Sequence, residues 1–167
     1  ALLALAACGS APAEPPPLAG AAIGGPFALV DKAGQTVSWA DFAGKWRMVY
    51  FGYTYCPDVC PFDVQRMMAG YRQFAAADPD LAATVQPIFI TIDPARDTPA
   101  KIGEYTANFG DELLGLTGTA AAVEQAARAF AVYYQPGEVS EAGGYLMDHS
   151  RAAYLMDRQG NPIALLP

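Results

Sequence analysis

The sequence predicts an α/β fold with a central, mostly parallel sheet. Two strongly apolar runs of strand length, residues 47–53 and 85–92, are each followed by a segment with helical features. A shorter apolar run at residues 113–116 precedes a further helical segment. The chain closes on two apolar runs that flank the turn-forming residues 157–161, which is typical of an antiparallel hairpin. Strands that alternate with helices indicate parallel pairing, and the closing hairpin adds an antiparallel edge.

The N-terminal half of this plan contains a hairpin and a long helix. Residues 27–30 and 35–38 flank a turn-rich break and predict a short hairpin. Residues 61–77 predict a helix, because their apolar side chains fall on one stripe. That stripe consists of Val64, Met67, Met68, Tyr71 and Phe74. At this spacing the two methionines are interpreted as core residues.

Two further helices and two strands complete the plan. A helix is predicted over residues 98–109; it opens with Asp97-Thr98-Pro99, a cap followed by a proline that suits the first turn. Another helix is predicted over residues 120–131, and the closing strands over residues 151–156 and 162–166. This order of elements is that of a thioredoxin-like fold, and a final covering helix is expected beyond Pro167.

Composition limits the classes of function. The 167 residues form one ordinary domain with a tail, and 17 acidic against 10 basic residues give a formal charge of −7. The lysines and arginines form neither a run nor a stripe, so nucleic acid is excluded as an expected partner. Three cysteines are too few for a disulfide-scaffolded protein.

The first eight residues predict export. Residues 1–5 are wholly apolar and resemble the end of a signal-peptide core. Residues 5–8, Leu-Ala-Ala-Cys, resemble the bacterial lipobox, in which Cys8 becomes the lipidated first residue of the mature protein. Ordinary cleavage after the Ala-x-Ala motif at residues 4–6 is the alternative. Lipidation is favoured because that cleavage leaves an odd free thiol in an oxidising compartment.

A spacer is predicted between this anchor and the folded domain. Residues 9–25 consist largely of alanine, proline and glycine, with one charge and three consecutive prolines. Such a segment cannot bury a core and favours extended conformations. The folded domain is therefore predicted over residues 26–167, held on the periplasmic side of a bacterial inner membrane through Cys8.

Two cysteines lie between the predicted central strand and the long helix, in Cys56-Pro57-Asp58-Val59-Cys60-Pro61. Ligand sites of open α/β sheets lie at the carboxyl ends of strands. The prolines predict that the helix begins at Pro61, which leaves Cys60 near the N-cap, where the helix dipole favours thiolate. Thiolates bind metals or attack disulfides. The turn also allows a reversible Cys56–Cys60 disulfide, provided that the Cβ atoms point together. A buried or disulfide-bonded pair without further role is the plainer interpretation.

His149 is the only histidine of the chain and directly precedes the first strand of the closing hairpin. A lone histidine is more often a filler than a ligand. In a thioredoxin-like sheet, however, the loop before this strand lies beside the turn after the central strand, which brings His149 to the thiols. Two thiolates and one imidazole form a soft ligand set that suits copper and is acceptable to zinc. A structural zinc site requires a fourth ligand, for which the sequence offers no comparable candidate.

Two carboxylates lie near the predicted site. Asp93 ends the second buried strand on the same edge, and it is either a supporting residue of the site or an ordinary residue of the loop that enters the next helix. Asp148 directly precedes the histidine and is expected to support the ligands without binding the metal itself. Three aromatic residues that flank the cysteines are expected to form the pocket wall: Phe51, Tyr53 and Tyr55.

Four motifs in this order resemble the Sco/SenC family of copper chaperones for cytochrome c oxidase. They are YFGYTYCPDVCP at residues 50–61, IDPARDTP at 92–99, LTGT at 116–119 and YLMDHS at 145–150. A Cys-x-x-x-Cys pair alone is weak evidence, but four ordered motifs spread over essentially the whole domain are specific. Tyr55 stands where many members carry histidine, so any auxiliary role of that imidazole is absent.

The resemblance implies a thioredoxin fold and copper, as Cu(I) or Cu(II), bound by Cys56, Cys60 and His149. It also implies delivery of copper to the dinuclear centre of oxidase subunit II, or maintenance of that centre's cysteines in the reduced state. The chain is therefore interpreted as a metallochaperone rather than a catalyst.

The competing hypothesis is a thiol–disulfide oxidoreductase of the cell envelope, with a thiol peroxidase as a more distant option. Thioredoxin-type reductases use Cys-x-x-Cys and a cis-proline at the start of the opposite strand. Here the cysteine spacing is one residue longer, and Arg151 stands at the position of that proline, with His149 just before it. This exchange favours metal binding over disulfide exchange, although one site can support both.

Overall fold

The structure is a computed structural model that describes residues 14–141 and 143–167. The strands within these residues are β1 (Ala28–Val30), β2 (Thr36–Ser38), β3 (Trp46–Gly52), β4 (Val85–Thr91), β5 (Leu114–Leu116), β6 (Tyr134–Pro136), β7 (Met147–His149), β8 (Ala153–Met156) and β9 (Pro162–Leu166). The helices are α1 (Val59–Ala77), α2 (Pro79–Ala82), α3 (Pro99–Ala107) and α4 (Ala120–Ala129), with a 3₁₀ turn at Trp39–Phe42.

Five of the described strands form the central sheet, in the order β5-β4-β3-β8-β9. Strand β3 runs parallel to β4, and β4 runs parallel to β5, whereas β8 is antiparallel to both β3 and β9. The predicted α/β class is confirmed. The sheet is mixed, because the predicted closing hairpin adds antiparallel pairs, with β8 lying directly beside the central strand β3.

Both faces of the central strand are covered by aromatic side chains, since neighbouring residues of a strand point to opposite faces. On one face Tyr50 packs against Phe89, with ring centroids 6.2 Å apart, and Phe89 packs at 5.0 Å against Tyr105 of α3. On the other face Phe51 packs at 5.3 Å against Phe130, which directly follows α4. The central strand is therefore buried on both sides, as its continuous apolar run predicted.

The long helix α1 begins two residues earlier than predicted. It starts at Val59 rather than at Pro61, so Cys60 lies inside its first turn and Asp58 occupies the N-cap. Proline is tolerated at this third helical position, because the first four backbone N–H groups of a helix have no partner within the helix. The prediction of the helix start was wrong because Pro61 loses no hydrogen bond there.

Three short elements were not predicted: the 3₁₀ turn, the one-turn helix α2, and the antiparallel pair β6–β7. In the last of these, Tyr134 lies opposite His149. Each strand of that pair has three residues, too few for a recognisable alternation of apolar and polar side chains. The pair therefore forms through contacts between distant segments, and it determines where His149 lies.

The segment before β1 lies against the folded domain. The N–H of Leu18 donates to the carbonyl of Ile163 at 3.0 Å, and the N–H of Gly24 donates to that of Ala129 at 2.7 Å. These residues belong to the predicted spacer, 9–25, whose later part is thus attached to the domain. In the part of the chain that the structure describes, no helix is long and apolar enough to cross a bilayer.

Candidate functional site

The two cysteines lie at the carboxyl end of the central strand β3. Cys56 is 8% exposed in the turn after β3, Cys60 is fully buried as the second residue of α1, and both are free thiols. The N–H of Cys60 donates to Sγ of Cys56 at 3.3 Å. Gly52 provides the space, because a Cβ atom there would lie 3.3 Å from Sγ of Cys60 and 2.9 Å from the Tyr50 ring. The turn thus holds one buried and one nearly buried sulfur side by side.

Burial determines the protonation state of Cys60. The loss of hydration raises the pKa of its thiol to about 12, and the hydrogen bond with Cys56 acts in the same direction. The expectation that the helix dipole would favour thiolate was therefore wrong for Cys60. It assumed a partly exposed sulfur at the N-cap, whereas the earlier helix start places this sulfur beneath the first turn. Cys60 is a thiol at neutral pH until a metal or a base takes its proton.

His149 lies beside Cys60 although 89 residues separate them in the chain. Its Nε2 is 3.4 Å from Sγ of Cys60, and its Nδ1 is 3.0 Å from the carbonyl oxygen of Ser150. Because a carbonyl only accepts, Nδ1 carries the proton and Nε2 presents its lone pair to the sulfur. Burial lowers the pKa of the imidazole, opposed by the Ser150 carbonyl and by the charge of Asp148. The ring is therefore neutral at pH 7, which is the form that binds metals.

Asp97 holds the cysteine turn in place and was read from the sequence only as part of a helix cap. Its buried carboxylate accepts hydrogen bonds from the N–H of Thr54 at 3.0 Å and from the hydroxyls of Thr54 and Thr91, each at 2.6 Å. Burial raises the pKa of this carboxyl, and the threonine hydrogen bonds oppose the shift. The available sequence signal was the position of Asp97 in the loop after a buried strand, but the residue was interpreted as part of the helix cap alone. The capping oxygen belongs instead to Thr98, which accepts from the N–H of Lys101.

The two predicted supporting carboxylates differ in their surroundings. Asp93 is buried, and it accepts hydrogen bonds from Arg96 and from the hydroxyl of Tyr145. Asp148 is exposed on β7 and acts on His149 through its charge. Asp93 therefore contacts the segment that leads to the histidine.

Other residues that flank the cysteines and the histidine differ in their contacts. The Tyr53 ring meets the His149 ring edge-on, with centroids 5.9 Å apart, whereas Tyr55 is half exposed. Arg151, at the position where reductases carry proline, forms a two-armed ion pair with Asp63 of α1, at 2.8 and 3.1 Å. This ion pair ties the start of β8 to the helix that carries Cys60.

The three expected ligands come together without forming a closed cluster. Within residues 14–141 and 143–167, no group of three or more His, Cys, Asp or Glu side chains is already gathered as a metal cage. Cys60 contacts the imidazole of His149 through its Sγ and contacts Sγ of Cys56 through its backbone N–H. Cys8, the predicted lipidation site, lies outside the described residues.

Comparison with known sequences identifies relatives across the folded domain. The sequence model of the SCO1/SenC family matches residues 16–167. The chain is 45% identical over 141 residues to a mitochondrial SCO2 homolog of Bos taurus, covering 84% of this chain and 52% of that protein. It is 43% identical over 142 residues to SenC of Rhodobacter capsulatus, covering 83% and 61% respectively. The chain thus spans about half the length of the first of these curated relatives.

Solved structures match the fold closely. Arabidopsis thaliana ScoI with copper bound has a TM-score of 0.80 and 38% identity, covering 86% of this chain and 87% of that one. Bradyrhizobium japonicum ScoI with copper bound has a TM-score of 0.79 and 39% identity, covering 87% and 89%. These likenesses confirm the thioredoxin-like fold expected from the sequence. Together with the match over residues 16–167, they show that the chain belongs to the SCO1/SenC family.

Proposed function

We propose that this chain binds copper through Cys56, Cys60 and His149 and passes it to a copper-receiving protein during assembly of cytochrome c oxidase. Membership of the SCO1/SenC family supports this proposal, as do the copper-bound structures of ScoI proteins that share its fold. The recipient we propose is the dinuclear copper centre of oxidase subunit II. Keeping the cysteines of that centre reduced is the related alternative.

The observation that carries the proposal is the 3.4 Å approach of the unprotonated Nε2 of His149 to Sγ of Cys60. Cys56 provides a second sulfur on the same turn, within 3.3 Å of the Cys60 N–H. Two sulfurs and one imidazole form a soft, three-ligand set that suits copper. Structural zinc sites, by contrast, typically have four protein ligands.

The protonation states indicate how metal enters the site. Cys60 is a thiol whose pKa is raised to about 12, so it releases a proton when it coordinates copper. His149 is neutral and binds through a lone pair that is already free. Binding therefore replaces the proton of a buried thiol with a metal ion, and reprotonation of the same thiol favours release.

A second candidate function is thiol–disulfide exchange. The two free thiols on one turn favour it, since the dithiol loses two electrons and two protons when it forms a Cys56–Cys60 disulfide and reduces a partner's disulfide. The raised pKa of Cys60 argues against this thiol as the attacking nucleophile. Cys56, the more exposed of the pair, is the attacking residue on this hypothesis.

Copper titration of reduced and oxidised protein tests the proposal. With Cys8 replaced by serine, the reduced chain is expected to bind one copper tightly, whereas the oxidised chain loses tight binding because a disulfide offers no thiolate. Cys56→Ser and Cys60→Ser should each weaken binding by more than about 100-fold, since even residues that only orient ligands contribute about 10–100-fold. His149→Ala should change the Cu(II) charge-transfer spectrum yet leave the disulfide able to form. Equal binding by both redox forms would contradict the proposal.

A further inference from the structure

The buried carboxylate of Asp93 joins two distant parts of the chain. It lies just beyond the carboxyl end of β4 and is 3% exposed. One of its oxygens accepts from Nε of Arg96, and the other accepts from the hydroxyl of Tyr145 at 2.9 Å. Because a buried carboxylate needs partners to offset its lost hydration, Asp93 holds both side chains in place.

Arg96 holds Tyr145 a second time and in a different way. Its Nη1 donates to the backbone carbonyl of Tyr145 at 2.9 Å, and its guanidinium carbon lies 3.6 Å from the centroid of the Tyr145 ring. A guanidinium stacked on an aromatic face is an attractive cation–π arrangement. Tyr145 is thus fixed at its hydroxyl, its ring and its carbonyl, two residues before β7 begins.

The described residues between β6 and Tyr145 lack comparable support. Residues 137–141, 143 and 144 are exposed. The backbone hydrogen bonds there are local: the N–H of Ser140 donates to the carbonyl of Gly144, and the N–H of Gly137 donates to that of Leu146, next to the β6–β7 pair. The contacts of Tyr145 therefore attach the chain that enters β7 to the loop after β4, in addition to the pairing of β7 with β6.

The same guanidinium also faces the cysteine turn. It lies 4.8 Å from the ring of Tyr55 and 5.8 Å from the ring of Tyr53, which packs edge-to-face with the ring of His149. Nη2 of Arg96 is buried and has no hydrogen-bond acceptor among the described residues, so its charge faces the tyrosine rings. Arg96 therefore packs between the turn that carries Cys56 and the segment that carries the histidine.

We propose that Asp93, Arg96 and Tyr145 form a clamp that holds His149 within reach of the two sulfurs. The clamp rests on the proposed copper site, and its members are positioning residues rather than ligands. Without it, the chain that enters β7 keeps its pairing with β6 but loses its attachment to the loop after β4. His149 then spends less time beside Cys60, and the sulfurs hold the metal without the imidazole.

The test compares two clamp variants, Arg96→Met and Tyr145→Phe, with Arg128→Met as a matched control. Arg128 also pairs with a carboxylate, Glu124, but it lies exposed on α4. Because the chain has a single histidine, its imidazole signals in a magnetic resonance spectrum are unambiguous. In the copper-free, reduced chain at about pH 7.5, roughly one unit above the ordinary pKa of histidine, we expect the clamp variants to shift or broaden these signals. Faster amide exchange is expected in β7, with no change in Arg128→Met.

The copper-loaded protein provides the second measurement. Arg96→Met should lower Cu(II) affinity by about 10–100-fold, the range typical of residues that orient a ligand, and should weaken the nitrogen coupling in the electron paramagnetic resonance spectrum. Arg96→Lys restores the charge but not the planar stacking, so we expect it to rescue affinity in part. Tyr145→Phe removes one hydroxyl and keeps the ring, which provides a mild variant should Arg96→Met unfold.

Two outcomes would overturn the clamp. The first is an imidazole spectrum and β7 exchange rate that are the same in Arg96→Met, Tyr145→Phe and wild type. The second is an equal change in the Arg128→Met control. Failure of the wild-type chain to bind copper would instead contradict the proposed function, and the copper-free spectra would still decide whether the clamp exists.

Discussion

At the scale of single residues, burial gives the two proposed kinds of ligand opposite pKa shifts. The pKa of the Cys60 thiol rises to about 12, mainly because its thiolate would lose hydration. The pKa of the His149 imidazole falls, because its cationic form would lose hydration in the same way. Both groups are consequently neutral at pH 7, and the site carries no fixed charge from these two side chains before metal arrives.

Copper affinity of the reduced chain is expected to rise with pH. Below a pKa of about 12, Cys60 must release a proton in order to coordinate, which gives about a tenfold gain in affinity per pH unit for this proton. His149 adds no slope above its lowered pKa, because it is already unprotonated. Competition titrations over about two pH units around neutrality, corrected for protonation of the competing chelator, measure the slope. A flat profile would contradict a Cys60 ligand that binds as a buried thiol.

At the scale of elements, Asp97 joins the cysteine turn to the end of β4. Three hydrogen bonds converge on its carboxylate, two from Thr54 in the turn and one from Thr91 in the strand. The hydroxyl of Thr117, just after β5, donates to the backbone carbonyl of Asp97 at 2.7 Å. The carboxyl ends of β3, β4 and β5 are therefore linked through Asp97. Cys56 follows shortly after Thr54 in the same turn.

Asp97→Ala is expected to destabilise the fold by at least about 2 kcal/mol, because it leaves buried donors without acceptors, and a net hydrogen bond to a charged group contributes about 1.5–3 kcal/mol. Asp31→Ala is the matched control. Its carboxylate also accepts two backbone N–H bonds, from Ala33 and Gln35, but in an exposed turn, where the expected loss is below about 1 kcal/mol. Urea unfolding measures both. Equal losses would show that Asp97 has no special part in holding the turn.

At the scale of the whole molecule, the attachment of the N-terminal segment limits the reach of a membrane tether. Leu18 is hydrogen bonded to the carbonyl of Ile163, which lies on the edge strand β9. If Cys8 carries the lipid, the tether is residues 9–17, which reach on the order of 30 Å at about 3.1 Å per extended residue. The domain would then be held near the membrane surface, which would raise its effective concentration at the proposed membrane-embedded recipient.

Cys8→Ala is expected to block lipoprotein processing and to leave an uncleaved or mislocalised precursor. Copper binding by the reduced protein should change less than about twofold, since Cys8 is not among the proposed ligands. Mass spectrometry of the mature N-terminus and membrane fractionation test this prediction. An unmodified N-terminus after residue 8, in protein released with the soluble periplasmic fraction, would show that the lipobox interpretation is wrong.

Local patterns in the sequence determined the main elements of the fold. The apolar runs around Val49 and Ile88 predicted the two central strands, and the stripe through Val64 and Tyr71 predicted α1, because strand and helix periodicity are properties of neighbouring residues. The spacing of Cys56 and Cys60 at a strand-to-helix turn, with the family motifs around it, indicated the chemistry. These inferences used patterns among residues that are close together in the sequence.

Only the tertiary structure decided how the site is assembled and what state its groups adopt. The pairing of β6 with β7 places His149 against Cys60 across 89 residues, and no local pattern encodes such a contact. The pKa of Cys60 is raised because its thiol is buried in the first turn of α1, next to Gly52, and such burial exists only in the folded chain. Arg96 lies among tyrosines from two distant segments for the same reason. Hydration and long-range packing depend on every layer around a residue, so they are properties of the whole fold.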